Sequence, residues 1–306
     1  MKIIVTGGAG FIGSNLCDRL IELGHEVIVI DNLSTGKFEN LNTKVTFYLN
    51  RVESPECEKI FELHRPEIVY HLAAQADVRK SVADPIYDAQ VNILGTINLL
   101  QLSVKYGVKK FIFISSGGVI YGNTYERPAK EDDKVAPESP YGIAKLTGEY
   151  YVKFYSQNYG LKYSILRYAN VFGPRQNPFG EAGVCAIFAK NMLKGEPCIL
   201  YGYGKMVRDY VYIDDVNDAN ILMLEQGDNE VFNVGKGLGT SVEELFNKMR
   251  EIVGYKVEPI LKPKRPGELD INVLDTTKLQ KLGWQARVSF KDGLINTIEW
   301  VRKNYL

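Results

Sequence analysis

The chain has 306 residues, of which 45% are hydrophobic and 24% are charged, the ordinary balance of a soluble globular protein. Lys plus Arg and Asp plus Glu both number 37, so no net charge favours nucleic acid or an anionic membrane surface as a partner. Four scattered cysteines without C-x-x-C spacing indicate reduced, buried thiols. No stretch of 18 apolar residues and no signal-peptide pattern occurs, and we therefore expect a cytoplasmic protein.

Strands and helices alternate in the first half of the sequence. Short apolar runs predict strands at residues 2–6, 26–30, 45–49, 67–73, 109–116 and 162–168. Amphipathic segments between them predict helices from Phe11, near 55–64, at about 84–106 and from Pro140. Apolar strands separated by such helices are typical of a parallel sheet covered on both faces. The pattern predicts an α/β fold with a doubly wound parallel Rossmann sheet in residues 1–168.

The second half, residues 169–306, has a looser pattern. Helices are predicted near 183–194, 215–226, 241–253 and 289–303, with short strands between them and loops rich in Gly, Pro and Asn. We expect a smaller α/β lobe that binds the substrate and closes over a cleft at the carboxyl ends of the parallel strands. Some of its later segments should return to the first domain.

A glycine-rich turn follows the first strand and opens the first helix, with glycines at positions 7, 10 and 13. Gly7 permits a tight strand exit, Gly10 lets backbone N–H groups approach a pyrophosphate, and Gly13 lets the helix press on the sheet. Such a turn can also merely connect two elements. Asp31 ends the second strand, where a carboxylate accepts hydrogen bonds from ribose hydroxyls and repels a 2′-phosphate, although it could instead only begin a turn. The complete unit predicts a site for NAD.

Tyr141 and Lys145 form the candidate catalytic pair. Ser139 and Pro140 predict a helix start, and the four-residue spacing puts both side chains on one helix face. The Lys145 ammonium is expected to lower the pKa of the Tyr141 phenol, aided by a partly dry cleft and a positive nicotinamide ring. Y-x-x-x-K alone is a weak pattern in a chain with 19 tyrosines, but this pair lies on the helix that follows the fifth strand. The position predicts that Tyr141 is a general base.

Eight features in order along the sequence resemble the extended short-chain dehydrogenase/reductase family. They are TGGAGFIG (6–13), Asp31, HLAAQ (71–75), SSGGVIYG (115–122), YGIAK (141–145), LRYANVFGPRQ (166–176), RDYVYIDD (208–215) and KRPGELD (264–270). The likeness spans nearly the whole chain and is strongest to the UDP-glucose (UDP-galactose) 4-epimerases. It implies NAD as cofactor, a UDP-hexose as substrate, and epimerisation through a transient 4-keto sugar with Tyr141 as the base.

The resemblance also implies binding roles for individual residues. Cofactor contacts are implied for Gly7, Gly10, Phe11, Ile12, Gly13, Asp31, Asn32, Ser34, Thr35, Gly36, Arg51, Val52, Leu72, Ala73, Ala74, Gln75, Asn92, Ser115, Tyr141, Lys145 and Tyr168. Substrate contacts are implied for Ser116, Tyr141, Asn170, Gly183, Val184, Tyr201, Arg208, Arg265, Glu268 and Asn272. Arg208 and Arg265 suit a diphosphate because guanidinium forks bind its oxygens bidentately. Alternatively, Arg208 pairs with Asp209 or Asp214, and Arg265 pairs with Glu268.

The sequence departs from the family pattern at Gly117. A Ser or Thr usually stands there and hydrogen-bonds both the sugar hydroxyl and the catalytic phenol. The glycine pair could let the loop bring Ser116 into that place, so Ser116 is assigned as the third catalytic residue. Alternatively, Ser115 and Ser116 only cap the end of the strand. Asn50 also departs from the pattern, because many relatives carry an acidic residue there, near the adenine.

Asn272 is the one residue that bears on substrate range. In the family this position lies beside the C2 substituent of the sugar, where a bulky tyrosine excludes N-acetylated sugars. Asn is intermediate in size, which predicts efficient interconversion of UDP-glucose and UDP-galactose with weaker activity on UDP-N-acetylglucosamine. A one-residue slip of the alignment would instead put Ile271 or Val273 in the wall.

The remaining conspicuous residues have structural explanations. His25, His64 and His71 show no metal-ligand spacing, so no metal is expected, and His71 is expected to be a core histidine. Aromatic residues at helical spacing follow the YGIAK segment, namely Tyr150, Tyr151, Phe154 and Tyr155. They indicate core or dimer packing, and by analogy with relatives we expect a homodimer through this helix and the 84–106 helix.

Two other functions compete with epimerisation. A nucleotide-sugar 4,6-dehydratase of the same family needs an acid/base pair in the loop after the fifth strand, where this chain has Gly118 and Val119. A non-catalytic, cofactor-sensing protein would retain the glycine turn but typically lacks the tyrosine and lysine. Both Tyr141 and Lys145 are present here, which favours the enzyme.

Overall fold

The computed structural model describes residues 1–179, 183–265 and 267–306. Within them the strands are β1 (Lys2–Thr6), β2 (Glu26–Asp31), β3 (Thr46–Leu49), β4 (Ile68–His71), β5 (Lys110–Ser116), β6 (Lys162–Tyr168), β7 (Asn170–Phe172), β8 (Ile199–Tyr201), β9 (Val207–Tyr212), β10 (Glu230–Val234), β11 (Gly239–Ser241), β12 (Ile260–Lys262) and β13 (Ile271–Asn272). The helices are α1 (Phe11–Glu22), α2 (Cys57–His64), α3 (Val78–Ala83), α4 (Pro85–Ala89), α5 (Gly95–Lys105), α6 (Gly117–Ile120), α7 (Pro140–Tyr159), α8 (Val184–Lys194), α9 (Ile213–Leu222), α10 (Val242–Val253), α11 (Thr277–Gln280) and α12 (Phe290–Tyr305).

The central sheet confirms the predicted α/β fold with a doubly wound parallel sheet. Across the described ranges it has seven strands in the order β10-β6-β5-β4-β1-β2-β3, and every neighbouring pair is parallel. The order reverses between β1 and β4, which leaves a crevice at the carboxyl ends of the strands. The six strands predicted in the first half are all present, and β10 joins them from the second half of the chain.

Alternate residues of the central strands supply two separate cores. Ile3 and Val5 pack with α1 and α9 residues on one face of the sheet, and Ile4 packs with α2, α5 and α7 residues on the other. All three side chains are fully buried. Burial on both faces is the physical reason that the strands are near-continuous apolar runs in the sequence.

The smaller lobe is built around β9, which pairs with β11, β13 and β7. A short parallel pair, β8 and β12, lies beside them. A third core fills the lobe, with Phe188 of α8, Phe246 of α10 and Leu294 of α12 at its centre. Because β7 begins two residues after β6 ends, the lobe starts at the carboxyl edge of the central sheet.

The helix predicted over 84–106 is present as one continuous helical run over residues 85–105, made of α4, a π-helical turn and α5, and the separate short helix α3 precedes it. Asp77 caps α3 and Asp84 caps α4, and a π-helical turn, Gln90–Leu94, joins α4 to α5. Pro85 in the first turn of α4 favours a new helix start over continuation from α3. Within the described residues, no helix is both long enough and apolar enough to cross a membrane.

Candidate active site

The glycine turn after β1 forms an anion cradle. Gly7 has a φ of +72°, and a Cβ atom there would lie 2.8 Å from the backbone nitrogen of Ala73. A Cβ at Gly13 would lie 2.2 Å from the Gly7 carbonyl oxygen, so only glycine fits at either position. Among the described residues no side chain caps the N-terminus of α1, whose first turn begins at Phe11 and Ile12. Its N–H groups and helix dipole suit a pyrophosphate.

Asp31 lies at the mouth of this cradle. The carboxylate accepts hydrogen bonds from the backbone N–H groups of Ala9 (3.0 Å) and Leu33 (2.8 Å). Burial raises the pKa of Asp31, and these two hydrogen bonds lower it. Asp31 therefore does begin a turn, and the same carboxylate lies where a ribose would meet the end of β2. The residues present fit an NAD molecule.

The other predicted cofactor residues lie on three segments around the cradle. They are Asn32, Ser34, Thr35 and Gly36 after β2, Arg51 and Val52 after β3, and Leu72, Ala73, Ala74 and Gln75 after β4. The first and last segments contact the cradle, because Lys37 N donates to Ala9 O (3.0 Å) and Ala73 N donates to Thr6 Oγ1 (3.1 Å). Arg51 is exposed and pairs with Glu53.

Three predicted cofactor residues have hydrogen-bond partners within the protein. Ser115 Oγ donates to Glu149 at 2.6 Å, and Tyr168 OH donates to Asn220 at 2.7 Å. The Asn92 side chain donates through Nδ2 to the Gln75 carbonyl at 2.9 Å and accepts through Oδ1 from the Gln75 N–H at 3.0 Å. The backbone contact of Asn92 is the one expected of it, and the cofactor contacts of all three residues remain predictions. Each is buried because it holds two elements of the fold together.

The predicted catalytic pair begins α7. Ser139 caps this helix through its Oγ, which accepts from Gly142 N at 3.1 Å, and Pro140 occupies the first turn. Lys145 is buried, and its Nζ donates to the carbonyl of Ile114 at 2.8 Å and lies 6.0 Å from the centre of the Tyr141 ring. The four-residue spacing thus places both groups on one face beside the end of β5.

Burial dominates the protonation of both members of the pair. It raises the pKa of Tyr141, as does the negative charge of Asp88, while a hydrogen bond with Ser116 lowers it. Burial lowers the pKa of Lys145 to about 8, opposed by the charges of Asp88 and Glu149. Lys145 is not among the groups that shift the pKa of Tyr141 in this structure, and its expected lowering of the phenol pKa beside a bound nicotinamide ring remains a prediction.

Ser116 lies beside Tyr141, and its assignment as the third catalytic residue remains a prediction. It is the last residue of β5 and the N-cap of α6, and its side chain is hydrogen-bonded with Tyr141. A Cβ at Gly117 would lie 2.5 Å from Cδ1 of the fully buried Leu274. A Ser or Thr at position 117 would therefore require Leu274 to move. The loop predicted there is the short helix α6.

A cavity of about 210 Å³ in the smaller lobe gathers most of the predicted substrate residues. Those that line it are Asn170, Val184, Tyr201, Arg208, Arg265 and Glu268. Gly183 is the N-cap of α8, directly before Val184. The cavity lies beside β7 and so adjoins the carboxyl end of β6.

The two arginines of the cavity are held differently. The Arg208 guanidinium donates to the carbonyls of Leu269 (2.7 Å) and Val207 (2.9 Å), and burial lowers its pKa. These carbonyl partners replace the alternative pairing with an aspartate. The alternative for Arg265 is observed, because its Nε donates to Glu268 at 2.8 Å, and its guanidinium also stacks 4.2 Å from the centre of the Tyr201 ring. Both cations remain on the cavity wall.

Two polar residues of the cavity, Gln176 and Tyr210, were not found from the sequence. Gln176 and Tyr210 are buried and line the cavity, and within the described part of the chain Gln176 Oε1 and Tyr210 OH have no hydrogen-bond partner. Unpartnered buried polar atoms are costly unless a ligand or water satisfies them. Both residues lie inside motifs quoted above, but no spacing rule distinguishes them from their neighbours.

Asn272 lies behind the cavity. It is buried, and its Nδ2 donates to the Gly117 carbonyl at 3.1 Å, next to Ser116. The structure does not place it among the lining residues of the cavity. It supports the catalytic loop, and its expected effect on substrate range remains a prediction.

His71 is a core histidine, as expected. Its ring nitrogens lie 2.8 Å from Thr6 Oγ1 and 2.9 Å from Thr96 Oγ1, and burial lowers its pKa to about 3. The four cysteines are buried and free. In the described ranges no cluster of three or more His, Cys, Asp or Glu side chains could hold a metal ion.

Comparison with known proteins gives a consistent result. The model of the NAD dependent epimerase/dehydratase family matches residues 3–235. The chain is 43% identical to a putative UDP-glucose 4-epimerase of Methanocaldococcus jannaschii and 42% identical to the UDP-glucose 4-epimerase of Mycolicibacterium smegmatis, over 99% of each chain.

Two crystal structures are similar over the full length. The Thermotoga maritima UDP-glucose 4-epimerase with UDP-glucose has a TM-score of 0.98 and 56% identity, covering 100% of both chains. The Thermus thermophilus UDP-glucose 4-epimerase in complex with NAD has a TM-score of 0.95 and 44% identity, covering 99% of this chain and 100% of the other.

Proposed function

This chain belongs to the NAD dependent epimerase/dehydratase family, and we propose that it is an NAD-dependent 4-epimerase that interconverts UDP-glucose and UDP-galactose. One observation carries the proposal. The anion cradle after β1 and the Ser116, Tyr141 and Lys145 group beside β5 lie at the same edge of one parallel sheet. A dinucleotide bound in the cradle can therefore extend to the catalytic tyrosine.

The residues of the cradle hold NAD, which supplies a reversible hydride acceptor for the sugar C4 carbon. Backbone N–H groups at the start of α1 bind the pyrophosphate, and Asp31 accepts from the ribose hydroxyls. A 2′-phosphate at that position would meet the Asp31 carboxylate, so NAD is favoured over NADP.

Tyr141 is the proton acceptor for the C4 hydroxyl. Ser116 is hydrogen-bonded with the phenol and orients the same hydroxyl. The buried Lys145 ammonium provides positive charge near the phenolate that forms. When the 4-keto sugar has turned over, Tyr141 returns the proton to the C4 oxygen from which it came.

The cavity of the smaller lobe holds the nucleotide. Arg208 and Arg265 present two guanidinium groups to the diphosphate. Tyr201, the ring on which the Arg265 guanidinium stacks, lies towards the uracil. A firm grip on the nucleotide leaves the sugar free to turn over between the two hydride transfers, which 4-epimerisation requires.

The direct test is conversion of UDP-galactose to UDP-glucose by the purified protein, alongside a panel of UDP-N-acetylglucosamine, UDP-glucuronate and dTDP-glucose. We expect efficient interconversion of the two hexoses, weaker activity on the N-acetylated sugar, and loss of activity in Tyr141→Phe. A 4-keto-6-deoxy product would show a dehydratase instead. No turnover of any sugar nucleotide would refute the proposed function.

We propose further that the protein is a homodimer. Ile86 of α4, Leu94 of the π turn, and Tyr150 and Phe154 of α7 are large apolar residues exposed on neighbouring helices. A contiguous apolar face of this kind marks a protein contact. Leu94→Asp should convert the dimer to a monomer in light scattering, whereas Leu63→Asp, a change at another exposed leucine, on α2, should not. A monomeric wild type would exclude the dimer.

The four free cysteines support a reducing compartment, and we propose the cytoplasm. Fractionation of cells should recover the enzyme in the cytoplasmic fraction, and recovery elsewhere would contradict this location.

A further inference from the structure

A buried carboxylate, Asp88, lies beside the catalytic pair and has no part in the chemistry proposed above. It belongs to α4 and is 1% exposed. Its Oδ1 accepts hydrogen bonds from Gln75 Nε2 and Asn92 Nδ2, both at 3.0 Å. Both donors are neutral amides. They orient the carboxylate without neutralising its charge.

The two amides are themselves held in place. Gln75 Nε2 also donates to the Asp77 carbonyl, and Gln75 Oε1 accepts from Asp77 N, both at 2.9 Å. The Asn92 side chain accepts a hydrogen bond from the Gln75 N–H and donates one to the Gln75 carbonyl. Thr96 Oγ1 in turn donates to the Asn92 carbonyl at 2.7 Å. These hydrogen bonds therefore hold the Asp88 carboxylate against Gln75, in the segment that follows β4.

The charge of Asp88 needs a cation. Helix α4 packs directly against α7, which carries Lys145. Lys145 is buried as well, and the side-chain hydrogen bond it makes goes to a neutral carbonyl, that of Ile114. Asp88 and Glu149 are the acids that favour the charged form of Lys145.

Glu149 is already paired with a different cation. Arg167 donates to both of its carboxylate oxygens, at 2.9 and 2.6 Å. Asp88 has only amide donors, and Lys145 is the cation that lowers its pKa, against the effect of burial, which raises it. By charge balance Asp88 is thus the counter-charge of Lys145.

The other charged or titratable groups around the cluster are few. Tyr141 shares α7 with Lys145, and the charge of Asp88 raises its pKa. His71 ends β4 and has a pKa lowered by burial and by Lys145, so it is neutral near pH 7. Asp77 and Arg79 face each other at 3.8 Å at the more exposed start of α3.

We propose that Asp88 is a positioning residue for the epimerase reaction, a fixed buried anion that acts through Lys145 by keeping its ammonium charged beside Tyr141. The inference rests on the proposed function. It assigns Asp88 no contact with substrate or cofactor.

The test is Asp88→Asn, which keeps the shape and an accepting oxygen for both amides but removes the charge. Asp88 raises the pKa of Lys145 and of Tyr141, so its removal lowers both. The pH profile of kcat for UDP-galactose should therefore move as a whole to lower pH, by about one unit. The matched control is Asp84→Asn, an exposed cap of the same helix at which Asn serves equally well, and its profile should match wild type.

A second measurement does not depend on turnover. The side-chain ¹³Cε and ¹⁵Nζ shifts of Lys145 in the NAD-bound protein, assigned by comparison with Lys145→Arg, report its titration midpoint directly. We expect this midpoint to fall by about one unit in Asp88→Asn and to stay constant in Asp84→Asn. If Asp88→Asn does not fold, Asp88→Ser removes the same charge and should shift the midpoint in the same direction.

The outcomes separate the two proposals. A wild type without epimerase activity refutes the proposed function, while the Lys145 titration still decides the role of Asp88. A slower Asp88→Asn enzyme with an unshifted pH profile and an unshifted Lys145 midpoint would show that Asp88 only packs the fold, and would overturn the inference.

Discussion

The buried ion pair between Glu149 and Arg167 permits a quantitative test of the structure. Glu149 is 1% and Arg167 is 4% exposed, and two hydrogen bonds join them. Ser115 Oγ also donates to Glu149, and Arg167 Nη1 donates to Tyr121 OH at 2.6 Å. The pair therefore ties α7 to β5 and β6 directly below the catalytic serine.

Glu149→Gln keeps the size of the side chain and leaves the Arg167 guanidinium buried without an anion. Breaking a buried pair by removing one partner costs about 3–5 kcal/mol of the free energy of unfolding. For 306 residues the unfolding entropy is roughly 0.6 kcal/mol per kelvin near 60 °C. The melting temperature should therefore fall by about 5–8 °C.

Calorimetry at pH 7.5 on the NAD-bound protein measures this change. The matched variant Glu149→Leu with Arg167→Met removes both charges, and it should lose less stability than Glu149→Gln because no buried charge is left unpaired. A loss below 1 °C in Glu149→Gln, or a double variant as unstable as the sum of its single changes, would refute the reasoning.

Three further predictions concern the site and its surroundings. Tyr141→Phe should lower kcat at least about a hundredfold with an almost unchanged dissociation constant for UDP, since only the proton acceptor is lost; unchanged turnover would exclude Tyr141 as the base. The cofactor released from denatured protein should be NAD, because Asp31 repels a 2′-phosphate, and recovery of mainly NADP would contradict this. His71, whose pKa burial lowers to about 3, stays neutral in the native state while the unfolded chain binds a proton near pH 6.5. Acidification from pH 7 to 4 should thus lower the free energy of unfolding by about 3 kcal/mol through this residue. Urea denaturation at several pH values measures this loss, and the His71→Gln variant should lack it.

Features specified by neighbouring residues could be predicted from the sequence. The strands β1 to β6 are continuous apolar runs, and the glycine turn occupies the short interval between β1 and α1. The pairing of Tyr141 with Lys145 follows from helical spacing alone. The position of Ser116 also follows from neighbouring residues, because the two glycines after it begin the short helix α6, of which Ser116 is the N-cap.

Features that depend on distant segments could not be predicted in the same way. The exclusion of a side chain at position 117 comes from Leu274, far along the chain. Gln176 reaches the cavity from the loop after β7 and Tyr210 reaches it from β9, and neither position has a distinctive local pattern. The pKa of Tyr141 depends on burial and on Asp88, a residue of a different helix. Tertiary packing determines each of these.

The strand β10 has a consequence for how the protein is made. It pairs with β6, yet it follows much of the smaller lobe in the sequence. A chain emerging from the ribosome must therefore carry β6 with an open edge of unpaired N–H and C=O groups until residue 234 has been synthesised. A fragment ending at Tyr168 would keep that edge permanently and should aggregate rather than bind NAD by itself. The nucleotide-binding sheet is thus completed only after most of the substrate cavity has been translated.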